Sequence, residues 1–352
     1  MQSPPEPAWL QRLPAAWYGR RPVLALVPLS LRVGAVAALR RLLFRWRLRR
    51  VERLPVPVVV VGNLVVGGAG KTPLVIALAA ALRAAGRRPG VISRGYGGRW
   101  RQPGLVQAGT DAADCGDEAL LIARSVDAPV AVARRRADAA RLLLAAHPEC
   151  DLLLCDDGLQ HYALARDVEL VVVDAARGFG NGWLLPAGPL REPLGRLRSV
   201  QGVLLHGAAP DARADRALQA ALPAGLPAWR LRLRMEPPCS LGGAGVRDWP
   251  AWSGIAVHGV AGIGNPGRFF AGLRAQGLRV TEHAFPDHHA LTPADLAIAG
   301  TAPVLLTAKD AVKCPWLVST RYWVVPLVAE LPAGLLPWLL ELLETTRGRE
   351  NP

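Results

Sequence analysis

Lys71 and Thr72 close a glycine-rich turn, Gly67-Gly68-Ala69-Gly70-Lys71-Thr72-Pro73, that follows the apolar run Val58–Val61 and opens a helical pattern. Residues of these types in this order make a phosphate-binding loop. The backbone N–H groups cradle a polyphosphate at a helix N-terminus, Lys71 reaches the outer phosphates, and the Thr72 hydroxyl suits Mg²⁺. The strict spacing asks for glycine five residues before Gly70, where Val65 stands, so the loop is of the deviant Gly-Gly-x-Gly-Lys-Thr type. Lysine occurs only at Lys71, Lys309 and Lys313, arginine supplying every other basic side chain. A compact ammonium is therefore kept where arginine is otherwise the rule.

Nucleotide chemistry also needs carboxylates near a metal, usually at the end of an apolar strand. Leu152-Leu-Leu-Cys-Asp156-Asp157 offers a doubled pair and Val171-Val-Val-Asp174 a single one. The doubled pair fits better, since one acid can ligate while the other orients water. Asp117-Glu118 precedes an apolar helical pattern, where acids are favoured by the helix dipole whatever the function. Asp287-His288-His289 precedes the helix start Thr292-Pro293-Ala-Asp295 and reads equally well as a solvated loop. Arg94, Arg134–Arg136 and Arg191 could each steady charge on a phosphoryl group, though a single arginine in this chain reads first as a surface residue.

These groups must be carried by regular elements. A helix is expected over Pro73–Ala85, strands at Gly90–Ser93, Val130–Val132, Leu152–Cys155, Val168–Val173 and Gly202–Leu205, and helices at Glu118–Arg124 and Ala137–Ala146. Strands alternating with helices give a mostly parallel sheet covered on both faces. A composition shift over residues 207–228, within which Ala212–Ala221 could be helical, and the period-two strand Trp229–Met235 form the expected linker. A second α/β unit follows, with a strand from Ile255 to Val260, the turn Gly262-Ile-Gly-Asn-Pro266, a helix from Arg268 to Gln276, strands at Val304–Thr307 and Tyr322–Pro326, and a helix from Leu335. The Gly-x-Gly of that turn lacks a third glycine and reads as turn chemistry. The expected class is α/β: a P-loop NTPase-like, mostly parallel sheet domain over residues 51–206, a linker over 207–235, and a smaller α/β domain over 236–345.

The chain has 352 residues and a formal charge of +14. Its aromatics are not interleaved with basic residues as in an RNA- or DNA-binding motif, so no nucleic-acid partner is expected. Five cysteines form no Cys-x-x-Cys pair, which points to a reducing compartment and no zinc site. Residues 1–50 form a membrane-associating segment. From Leu24 to Leu48 it mixes Leu, Val, Phe44 and Trp46 with arginines, which suits an interfacial helix on an anionic membrane surface better than a spanning one.

Taken together and in order, Gly62–Pro73, Ser93-Arg94-Gly-Tyr-Gly-Gly98, Gly116-Asp117-Glu118, Asp156-Asp157-Gly-Leu-Gln-His161, Leu185-Pro-Ala-Gly-Pro-Leu-Arg191-Glu192, Gly262–Pro266, Asp287-His288 and Thr307-Ala-Lys-Asp-Ala-Val-Lys313 closely resemble the tetraacyldisaccharide 4′-kinase (lipid A 4′-kinase) family of Gram-negative bacteria. The family commonly has glutamate where Ala308 stands and often threonine where Val65 and Ala69 stand. The resemblance implies transfer of the ATP γ-phosphate to the 4′-hydroxyl of an acylated glucosamine disaccharide 1-phosphate, giving lipid IVA, at the cytoplasmic face of the inner membrane. It implies no obligatory protein partner. Carried over by motif, Asp117 becomes the base on the sugar hydroxyl and His288 its partner from the second domain. Thr72, Glu118, Asp156, Asp157 and Glu192 serve Mg²⁺, and Arg94 and Arg191 line the phosphate region. The alternative from another class is a membrane-associated deviant P-loop switch ATPase or GTPase with no small-molecule acceptor.

Overall fold

A computed structural model describes residues 16–19, 21–297 and 301–348. Residues 1–15 and 20 of the expected N-terminal segment, and 298–300 of the expected second domain, lie outside these. The chain runs through α1 (Val27–Arg45), β1 (Val58–Gly62), α2 (Lys71–Ala84), β2 (Pro89–Ser93), β3 (Gly104–Val106), α3 (Ala112–Cys115), α4 (Asp117–Ser125), β4 (Val130–Val132), α5 (Arg136–Ala146), β5 (Leu152–Asp156), β6 (Val168–Asp174) and β7 (Gly202–His206). It continues through α6 (Ala212–Ala220), β8 (Ala228–Met235), β9 (Cys239–Ser240), β10 (Ala256–Ala261), α7 (Pro266–Ala275), β11 (Arg279–Ala284), α8 (Pro293–Ala297), β12 (Val304–Thr307), α9 (Ala308–Ala311), β13 (Tyr322–Val325), β14 (Leu327–Glu330) and α10 (Leu335–Gly348). Two compact units result: one holds the residues up to Ala69, Asp157–Leu231 and the chain from Leu340, the other Gly70–Asp156 and Arg232–Leu339.

In the first unit β1, β6, β7 and the start of β8 pair in parallel in that order, with Val59 opposite Val168 and Val203 opposite Ala228. Val58 to Val61 are buried on both faces, which is why β1 reads as an unbroken apolar run and not as an alternation. Burying each valine contributes about 1.5–3 kcal/mol. The helix α1 packs here through one stripe. Ser30 Oγ donates to the Leu184 carbonyl at 2.8 Å, Arg41 donates to Ser199 Oγ at 3.3 Å, and the Phe44 and Tyr162 rings lie 6.0 Å apart. Its other side leaves Leu29, Leu31, Val36, Leu39 and the following Trp46 exposed.

In the second unit β5, β2 and β4 are parallel, and β3 closes their edge antiparallel. Leu74, Val75, Leu78, Ala79 and Leu82 form the buried stripe of α2, at the spacing of one helical face. The same unit contains a five-stranded sheet in the order β11-β10-β12-β13-β9, parallel except for β9. Its core includes Trp252 and Trp323 edge to face, with centroids 5.0 Å apart.

Candidate active site

In the first unit the loop leaving β1 is fastened by backbone groups. Arg191 N–H donates to the Leu64 carbonyl at 2.7 Å, and Val66 N–H donates to the Pro189 carbonyl at 2.9 Å. The segment Leu185–Glu192 therefore braces the glycine turn. Asn63, fully buried, donates from Nδ2 to the Gly67 carbonyl at 3.2 Å and accepts on its own carbonyl from Gln160 Nε2 at 3.2 Å. Gly67 sits at φ 108°, a left-handed conformation that glycine adopts without penalty. Asn63, Val65 to Ala69, Asp174 and Arg177 line one small hollow.

Two expected metal residues of this unit have cationic neighbours. Asp157, itself at φ 47°, takes a double contact from Arg191 Nη1 at 3.0 and 3.2 Å. Glu192 is buried; Tyr162 donates to its Oε1, and Arg196 Nε lies 3.7 Å from its Oε2. Burial and the Glu192 charge push the Tyr162 phenol up to about 12, so it stays a donor at neutral pH.

In the second unit Gly70 is the N-cap of α2 at φ 85°. With no side chain, it leaves the first-turn amides uncapped and directed at whatever anion meets the helix end. Lys71, Thr72 and Pro73 form that first turn and are half-buried. Arg94 follows β2 and is exposed, while Asp156 ends β5 buried, and Arg136 donates to its main-chain carbonyl at 3.2 Å.

The strongest constellation lies in this same unit. Asp117, 5% exposed, opens α4 and accepts from Glu118 N–H at 2.8 Å, in the first turn where an acid is favoured by the helix dipole. It is also bound by His288, whose Nδ1 lies 3.1 Å from Oδ1 and 3.0 Å from Oδ2. Asp117 and His288 were expected to come from separate domains; they belong to one compact unit. The physical reason is that α4 and the loop after β11 both fold within it. His288 adopts φ 62°, held by its N–H donating to the Gly262 carbonyl at 3.3 Å and to Asp287 Oδ1 at 3.1 Å. Gly262 N–H in turn donates to fully buried Asp310 at 2.9 Å. The turn Gly262–Pro266 thus positions the histidine. Tyr96, from the Ser93–Gly98 stretch, packs its ring 4.9 Å from the imidazole.

Electrostatics favour a charged carboxylate. Burial opposes ionisation of Asp117, but the His288 hydrogen bond and the Lys309 charge outweigh it and hold the group below its ordinary value. The hydrogen bond to Asp117 raises His288 against desolvation. Lys309 was not among the expected site residues, yet its Nζ touches Glu118 Oε1 at 3.1 Å and His288 Nε2 at 3.4 Å. The available signal was the scarcity of lysine. Among the described residues no group of three or more His, Cys, Asp or Glu side chains is arranged to hold a metal.

The profile described as Tetraacyldisaccharide-1-P 4′-kinase (LpxK) matches residues 23–344. The chain is 50% identical over 337 residues to the tetraacyldisaccharide 4′-kinase of Aromatoleum aromaticum, covering 96% of this chain and 98% of that protein. It is 50% identical over 341 residues to the protein of that name from an Azoarcus species, covering 95% and 96%. A crystal structure of LpxK from Aquifex aeolicus in complex with ATP superposes with a TM-score of 0.74 at 25% identity, covering 91% of this chain and 98% of that one. Sequence and fold agree over nearly the whole length, and the chain belongs to the tetraacyldisaccharide-1-P 4′-kinase family.

Proposed function

We propose that this protein transfers the γ-phosphate of ATP to the 4′-hydroxyl of a tetraacylated glucosamine disaccharide 1-phosphate. The observation that carries the reading is the hydrogen-bonded Asp117–His288 pair at the start of α4. A sugar hydroxyl is a poor nucleophile at neutral pH, so the reaction needs a positioned, ionised carboxylate to take its proton as the oxygen attacks. Asp117 accepts that proton, and His288 orients the carboxylate and steadies its charge. The amides at the start of α2 and Lys71 hold the nucleotide phosphates, and Lys71 offsets charge that develops during transfer. Arg94, exposed after β2 in the same unit, attracts the same phosphates.

Mg²⁺ fits the acids present. It is bound in such sites through one or two carboxylates together with phosphate oxygens and water, so a dense cluster of protein ligands is not required. Thr72 and Asp156 would hold it, with Glu118 as a further acid, whereas Asp157 and Glu192 are already taken up by Arg191, Tyr162 and Arg196. When bound it neutralises charge on the phosphate oxygens.

The acceptor is a lipid, and α1 suits its setting at the cytoplasmic face of the inner membrane. No helix among the described residues is long and apolar enough to cross a membrane. Exposed Leu29, Leu31, Val36, Leu39 and Trp46, set among arginines, favour a helix lying on an anionic surface. Beside it, Ala37, Ala38, Leu42 and Pro193, together with Arg41, Arg45 and Glu192, line a hollow of about 310 Å³, the lower end of the range for ligand pockets. An acyl chain suits this lining. The test incubates purified protein with labelled ATP and the tetraacylated disaccharide 1-phosphate in mixed micelles. Label in a bis-phosphorylated lipid supports the reading; label only in inorganic phosphate, whether or not lipid is added, points to a switch ATPase instead.

A further inference from the structure

Lys309 has a set of partners suited to an ammonium and to no other basic side chain. Its Nζ lies 3.1 Å from Glu118 Oε1, 3.2 Å from Asp287 Oδ1 and 3.4 Å from His288 Nε2, with Asp117 Oδ2 at 4.0 Å. Three partners at hydrogen-bonding distance meet three tetrahedrally disposed hydrogens. A guanidinium is planar and presents its donors as a fork, so it cannot sit at the centre of such a group. In a chain that otherwise uses arginine almost throughout, the exception falls where the geometry demands it.

The partners come from two segments, the first turn of α4 and the loop after β11. The ammonium closes them on each other. It has no lone pair, so in the neutral ring His288 Nε2 must face it as an acceptor. The ring hydrogen is thereby left on Nδ1, directed at Asp117. The other neutral tautomer would turn a lone pair toward the Asp117 carboxylate, and both the carboxylate and the ammonium disfavour it.

We infer that Lys309 is a positioning residue for the Asp117–His288 pair, fixing which ring nitrogen carries the hydrogen and holding the carboxylate in one orientation. The inference rests on the role proposed above for Asp117. Lys309 itself does not touch the reacting atoms. Lys313 completes the support from below: it pairs with Asp310 at 2.7 Å and donates to the His289 carbonyl at 2.8 Å.

The experiment compares Lys309→Ala, Lys309→Arg, His288→Ala, Asp117→Asn and the Lys309→Ala/His288→Ala double variant in the full chain, with ATP and lipid acceptor both varied and thermal unfolding recorded for each. Lys309→Ala should lose roughly 10- to 100-fold in kcat, with KM for ATP little changed, because orientation and not nucleotide binding is removed. Lys309→Arg should be no better. Added methylammonium should restore part of the lost kcat in Lys309→Ala and none in His288→Ala, a response that a merely structural lysine would not give. Loss of Lys309 should cost little further once His288 is gone. Wild-type kcat in Lys309→Ala, full activity in Lys309→Arg, multiplicative losses in the double variant, or a loss explained by unfolding at the assay temperature would each overturn the inference. Asp117→Asn separates it from the reading beneath: an active Asp117→Asn removes the base assignment, whereas an inactive one beside a fully active Lys309→Ala removes only the role of Lys309.

Discussion

The glycine turn and the Asp117–His288–Lys309 cluster are held by different means. Val65 to Ala69 are held mainly by main-chain hydrogen bonds and the Gly67 conformation, with Leu185–Glu192 as a brace and one side-chain bond from Asn63. The cluster is fixed by charged side chains from segments far apart in sequence, Lys309 and Glu118 being 191 residues distant. Backbone bracing survives most side-chain replacements. A side-chain cluster is instead cooperative, so each member depends on the others.

The largest effect should come from Lys71, the side chain proposed to offset charge during transfer. Lys71→Ala is expected to lower kcat by roughly 10³-fold while leaving the unfolding transition in place, since the loss is of charge stabilisation and not of bracing. Near-normal turnover would remove the glycine turn from the mechanism. Next, Asp117→Ala and His288→Ala should each lower kcat by roughly 10²-fold, and the double variant should fall well short of the product. Independent losses in that cycle would make the cluster no more cooperative than the turn.

A smaller effect separates packing from surface attachment. Ser30, Arg41 and Phe44 fasten α1 to its unit, so deleting the helix would disturb both. Changing Leu31, Val36, Leu39 and Trp46 to serine touches only the exposed side. It should reduce sedimentation with anionic vesicles and raise KM for vesicle-embedded lipid while leaving ATP binding intact. Unaltered sedimentation would locate attachment elsewhere. The smallest effect is on stability against pH. The depressed Asp117 value makes its contribution complete above the ordinary carboxyl value of 3.8 and lost as pH falls through the lower folded value. The raised His288 value makes its contribution complete below 6.5 and lost as pH rises through the folded value. His288→Gln should therefore flatten the decline in melting temperature above pH 6.5, and an unchanged profile would show that the pair is not coupled to folding.

The same contrast sets what was legible in the sequence. Val58–Val61, the glycines and the stripe of α2 are local patterns, and the elements built on them fall within a few residues of expectation. Strands β11 and β14 carried no such signal. Arg279–Ala284 is polar and mostly exposed, and at the edge of its sheet only backbone pairing makes it a strand. Asp117 and His288 were bland when read singly, one a helix-start acid and the other a loop residue. Only the family resemblance joined them, because no periodicity spans the intervening fold. Lys309 was missed although the rarity of lysine was plain, since rarity marks a position without naming what surrounds it. The neighbours that occupy Asp157 and Glu192 were equally invisible, for Arg191 and Arg196 looked like any of the chain's many arginines.

Because α1 is folded and seated on its unit, the membrane attachment proposed for it would differ in kind from that of a peptide that orders on contact. An isolated segment of its length must first nucleate a helix, and the lost chain entropy is subtracted from whatever affinity its apolar face provides. Here the packing of Ser30 and Phe44 has already met that cost during folding. If the proposed attachment holds, a small exposed face would suffice, and it would meet the surface in one fixed orientation.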